Sequence, residues 1–148
     1  MGRFFGLSIA AGLLLAAAAA ADEEGKGDKD SLEGTWSLVS VEINKQPLAM
    51  EKLKEARLVV KGKDYSFKLG DMRLELTHKM YPDRKPKAMD MTVTEGPDKG
   101  KTLHAIYKLE GDTLTICRHT LLDKPRPTEF ATKPDSGLML IVWKRIKP

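Results

Sequence analysis

The sequence predicts an all-β fold: an eight-stranded antiparallel up-and-down barrel with one short helix. Three observations predict it. Short runs rich in β-branched, aromatic and other apolar residues recur along the chain, separated by turn residues rather than by helical repeats. Glycine opens the breaks at Gly62-Lys63, Gly70-Asp71 and Gly111-Asp112, where a two-residue hairpin needs a positive φ. The first strand starts on Gly34-Thr35-Trp36 and the last contains Arg145, a pairing suited to closing a sheet on itself. At 148 residues, 41% hydrophobic and 31% charged, the chain has room for one domain.

In chain order, residues 1–21 read as a signal peptide. Arg3 gives the positive end, residues 4–15 the apolar stretch, and the alanines at 16–21 offer small-x-small cleavage sites. The acidic Asp22-Glu23-Glu24 that follows is no stop-transfer flank. No second apolar run reaches spanning length, so no stable membrane span is expected after cleavage. Residues 22–30 carry charge and glycine without an apolar residue, the composition of a flexible charged leader. The barrel domain is expected over 31–148.

Strands are expected at 35–43, 57–61, 64–69, 73–79, 88–94, 102–109, 113–119 and 138–146, with a short piece at 128–131. The helix is expected over 48–56, where Pro47 stands at the entry and Leu53 and Ala56 can face inward. Pro82, Pro86, Pro97, Pro125, Pro127 and Pro134 fall in the connections, where no ladder hydrogen bond is lost. An eight-stranded meander with open edges invites aggregation, and closure removes both edges.

Charge and thiol content limit the function classes. Cleavage after Ala21 removes one of 25 basic residues and none of 21 acidic ones, leaving a net charge near +3. Both signs are dispersed, so no nucleic-acid partner is expected. Cys117 is the single cysteine, so no intrachain disulfide can form and burial must stabilise the fold.

In a closed meander the first and last strands become neighbours. Gly34 then allows close backbone approach, Trp36 plugs the floor and Arg145 lies over the indole as a cation–π partner. This arrangement resembles the Gly-x-Trp and C-terminal arginine closure of lipocalins. Longer strings run through the chain: Leu32-Glu33-Gly34-Thr35-Trp36, Arg57-Leu58-Val59-Val60, Pro86-Lys87-Ala88-Met89-Asp90-Met91-Thr92 and Gly96-Pro97-Asp98-Lys99-Gly100-Lys101-Thr102. They continue in Ile106-Tyr107, Gly111-Asp112-Thr113-Leu114, Ile116-Cys117 and Arg126-Pro127-Thr128-Glu129-Phe130. On these motifs the chain resembles an uncharacterised exported domain family abundant in planctomycete bacteria. The resemblance implies a lipocalin-like barrel and bacterial export, and brings no substrate, cofactor or catalytic residue. Residues 73–81 depart from it, because family members there carry a small-aromatic-Lys-x-Asp pattern.

The Gly111-Asp112 turn fixes one register. If those two residues are the whole loop, Leu109 pairs with Leu114, Tyr107 with Ile116, Ala105 with Arg118 and His104 with His119. Tyr107, Leu109, Leu114, Ile116 and Arg118 then share the interior face. Carrying the ladder across the loop at 95–100 places Asp90 opposite Ala105, within reach of Arg118. Two readings follow. Arg118 with Tyr107 anchors the head group of an acidic apolar ligand, because a guanidinium grips a carboxylate through two hydrogen bonds; or Arg118 and Asp90 form an interior ion pair that excludes a ligand.

The same register collects His104, His119 and Cys117 on the outer face, soft ligands for zinc or copper. No fourth donor is evident, so no metal or other cofactor is assigned. Arg126 and Glu129 belong to a barrel rim and are expected to satisfy local polar groups, with Phe130 packing inward. Met72, Met80, Met89, Met91 and Met139 read as core filler. There is no Gly-x-Ser-x-Gly, His-Glu-x-x-His, Cys-x-x-Cys or phosphate-cradling glycine loop, so no catalytic residue is assigned.

The expected function is an exported, periplasmic or extracellular, non-catalytic barrel binding a small apolar or amphipathic ligand. Its cavity should reach roughly 300 Å³, lined by Tyr65, Phe67, Leu76, Tyr107 and Ile116. The alternative is an envelope protein-binding or inhibitor module with a filled core.

Overall fold

A computed structural model describes residues 28 and 31–147. Nine strands follow in order: β1 (Gly34–Ile43), β2 (Gln46–Pro47), β3 (Arg57–Lys61), β4 (Asp64–Leu69), β5 (Met72–Tyr81), β6 (Ala88–Val93), β7 (Thr102–Glu110), β8 (Thr113–His119) and β9 (Leu138–Ile146). Each strand from β3 to β9 pairs antiparallel with the next, β3 returns to β1, and β1 also pairs with β9. The eight long strands therefore form a closed barrel, and β2 is a short extra strand on β1.

The turn residues act as expected. Gly62, Gly70 and Gly111 sit at φ values of 59°, 59° and 60°, which a side chain with Cβ rarely adopts. The β7–β8 register is the expected one, with Ala105 opposite Arg118 and Tyr107 opposite Ile116. Alternate residues then turn inward, and Trp36, Leu58, Met89, Met91, Tyr107, Leu114 and Ile116 are buried together in the barrel core.

Several expectations need correction, and Met72 is one of them: it is exposed at the β4–β5 turn and fills no core. The helix over 48–56 is absent: the segment is a run of turns, held by hydrogen bonds such as Lys54 N–H to Met50 O at 2.8 Å. One or two such bonds leave helix nucleation unfavourable. Pro47 does not enter a helix but pairs with Glu42 in a small hairpin, turned by Asn44 and Lys45 at φ 52° and 71°. The short strand at 128–131 is also absent, and Phe130 does not pack inward: its ring lies 5.0 Å from Nζ of the exposed Lys108 on the outer wall. In the leader, Asp28 is engaged rather than free: its carboxylate accepts from Lys87 Nζ at 2.7 Å and from the Tyr107 hydroxyl at 3.0 Å. The rest of 22–30, and the signal peptide expected at 1–21, lie outside the described residues.

The closure at the floor matches its expectation. Trp36 and Arg145 are direct partners across the β1–β9 ladder, so their side chains share the inner face. The guanidinium carbon lies 4.2 Å from the centroid of the fully buried indole. Trp36 Nε1–H donates to Leu32 O at 3.0 Å, and Arg145 donates to the carbonyls of Ser31 and Glu33. Gly34 is required there, because its φ is 130° and a Cβ would sit 3.0 Å from Arg145 Nη1.

Candidate functional site

Below its mouth the barrel is divided. The floor half holds the buried side chains of Trp36, Leu58, Tyr107, Leu114 and Ile116. Above it lies an interior cavity of about 170 Å³. Its wall is mostly apolar, with Leu38, Phe67, Leu74, Leu103, Met139 and Trp143 among the lining residues, and Leu48 and Leu53 reach it from the turn segment after β2. Phe67 and Trp143 meet edge to face, with ring centroids 6.1 Å apart, so this part of the wall is a defined aromatic contact.

Two polar side chains also line the cavity, Arg118 and Tyr65. Arg118 comes from β8 between Ala105 on β7 and Met139 on β9. Arg118 Nη1–H donates to His119 O at 2.9 Å, and no carboxylate among the described residues pairs with this cation. Burial lowers its pKa from the ordinary arginine value, while the nearby Tyr65 opposes that shift. Burial likewise pushes the Tyr65 hydroxyl well above its ordinary value, and the charge of Arg118 partly offsets this. Trp143 adds a third polar group to the wall residues: its buried Nε1–H has no hydrogen-bond partner among the described residues.

The sequence therefore identified four cavity residues, Arg118, Tyr65, Phe67 and Leu76, and three others, Tyr107, Asp90 and Ile116, go elsewhere. Tyr107 is interior, but its hydroxyl is committed to Asp28 at the floor. It does not join Arg118. Asp90 pairs with His104 rather than with Ala105, which faces Met89 instead. The cause is the loop before β7: Val93 bonds to both Gly100 N–H and Lys101 O, and Gly100 takes a φ of 93°. This extra residue moves the pairing by one position and turns Asp90 to the outer face. The interior Arg118–Asp90 pair is thereby excluded. The cavity is also smaller than the expected size, and Ile116 is not among its lining residues.

Arg126 takes the role expected of Arg118 as the partner of Asp90. Its Nη2 lies 2.6 Å from Asp90 Oδ1, and Nη1 donates to Met89 O at 3.1 Å and Ala105 O at 2.8 Å. His104 Nδ1 lies 2.9 Å from the same carboxylate, and the Tyr81 hydroxyl donates to its other oxygen at 3.0 Å. The cluster ties the long β8–β9 connection to the barrel wall. Arg126, His104 and Tyr81 each bond to the Asp90 carboxylate, which marks a structural clamp.

Burial raises the Asp90 pKa, but hydrogen bonds from His104, Arg126 and Tyr81 outweigh it and hold the carboxyl below its ordinary value. A depressed carboxyl stabilises the fold above its unfolded pKa of about 3.9 and loses that contribution as pH falls through the folded value. Urea midpoints measured from pH 6 downward should show an acid limb that is flattened in Asp90→Asn. At pH 7, Asp90→Ala should cost about 2 kcal/mol, because it strips a charged partner from Arg126.

His104, His119 and Cys117 do not form a ligand set. His104 is held by Asp90, His119 Nδ1 accepts from Leu121 N–H at 3.0 Å, and Cys117 is buried with Sγ 3.8 Å from Ala131 O. Among the described residues no group of three His, Cys, Asp or Glu side chains is arranged to hold a metal ion. None of their helices is long and apolar enough to cross a membrane.

Comparisons with protein-family models, with curated proteins and with solved structures find no match for this chain. The planctomycete resemblance rests on its sequence motifs alone.

Proposed function

We propose that this protein binds a small apolar or amphipathic molecule inside the barrel and does not transform it. One observation carries the reading: the interior keeps a cavity of about 170 Å³ with a largely apolar wall. Protein interiors ordinarily fill such space, and an apolar void of about 150 Å³ is known to stay dry and accept benzene or xenon. The alternative, an envelope interaction module, called for a filled core, so the cavity favours ligand binding. Export and kinship with the lipocalin-like family form part of the proposal, supported by the N-terminal sequence and the quoted motifs.

The test is titration of the full chain with benzene, followed by amide NMR. Saturable shifts at Phe67, Leu74, Met139 and Trp143, with Lys61 and Glu110 at the floor unmoved, support the reading. Shifts spread over the outer surface, or none at saturating benzene, overturn it.

A further inference from the structure

We infer that the occupant is a small monocarboxylic acid, one ring or a short branched chain in size, whose carboxylate pairs with Arg118. The inference rests on the interior-binding reading above and adds the chemical class of the ligand.

Three observations lead to it. The cavity sets the size: about 170 Å³ accommodates a single ring with a small substituent and is too small to enclose a long acyl chain. The charge comes from Arg118. Only Nη1 is used, on His119 O, so the Nε and Nη2 edge of the guanidinium is unspent among the described residues. That edge presents two parallel N–H groups, the geometry that holds a carboxylate through two hydrogen bonds. A cation in an apolar wall is costly unless it is paired, and the chain supplies no described carboxylate for it, because Asp90 faces outward to Arg126. The third observation is Tyr65, buried in the same wall, whose hydroxyl makes no hydrogen bond among the described residues and can donate to a second carboxylate oxygen.

One lone cation matches one negative charge. A dianion would carry an unpaired charge into the apolar wall, and a neutral ligand would leave the guanidinium edge unsatisfied. Selectivity should therefore come from the acid group and size from the walls.

The test compares benzoate with nitrobenzene, its neutral isostere, by calorimetric titration of the full chain at pH 7. Benzoate should bind at least tenfold more tightly. In Arg118→Gln and Arg118→Met, each checked for a native circular dichroism spectrum, the preference should vanish while nitrobenzene still binds. In Leu103→Phe, which adds bulk to the cavity wall, both ligands should be lost. Equal binding of the two by the unmodified protein, or a benzoate preference that survives in Arg118→Gln, overturns the acid assignment and leaves interior binding standing. Failure of benzene, nitrobenzene and benzoate alike overturns interior binding itself.

Discussion

Trp36→Ala is expected to destabilise the protein by about 3–5 kcal/mol. The indole is fully buried where the first and last strands meet, so its removal leaves a void at the floor rather than a relaxed surface. Two further contacts go with it: the stacking of Arg145 at 4.2 Å and the hydrogen bond to Leu32 O. Each contributes on the order of 1 kcal/mol. Trp36→Phe keeps a ring beneath the guanidinium and loses the Nε1 donor, so it should fall between the two. Urea unfolding of the three proteins gives the order. A Trp36→Ala protein within 1 kcal/mol of the parent, by the resolution of about that size such measurements have, would mean that the closure is not where stability resides.

Arg118→Met should act in the opposite direction and raise the stability of the ligand-free protein by about 1–4 kcal/mol. Met is apolar, near in length and flexible enough to fill the place that the guanidinium leaves in the cavity wall. The substitution removes a cation that burial disfavours and that has, among the described residues, a single carbonyl as its hydrogen-bond acceptor. Binding groups are commonly kept at a cost to stability, and a variant that is more stable but no longer distinguishes benzoate from nitrobenzene would display that trade. Thermal unfolding of the ligand-free proteins is the measurement. If Arg118 instead serves the fold, Arg118→Met lowers the midpoint.

How far the sequence reached depends on what sets each feature. Hairpins with a two-residue glycine turn were readable, because turn length dictates register and register dictates which side chains face inward. That logic placed Arg118 inside correctly. It failed across the loop before β7, where the φ of 93° at Gly100 inserts an extra residue, and Asp90 was turned to the wrong face. The Trp36–Arg145 seam was readable for another reason: both residues lie at chain positions that a closed meander must bring together.

The parts that stayed hidden depend on irregular chain. Arg126 sits between two prolines in a connection with no period, and nothing local reveals that it reaches Asp90. Asp28 is one acid among many in a polar tract, yet it lies four residues before Leu32 and meets Tyr107 and Lys87 beneath the barrel. Cavity volume is the hardest quantity to foresee, since it is a small difference between the room enclosed by eight strands and the side chains filling it. Leu48 and Leu53 narrow it from a segment expected to be helical.

A crystal structure of the full chain under xenon pressure would decide whether the barrel holds usable space. Xenon should appear as one ordered site between Phe67, Leu74, Met139 and Trp143, with the lining side chains in place. Well-ordered side chains meeting across that volume, with no xenon between them, would contradict a barrel built to hold a small ligand.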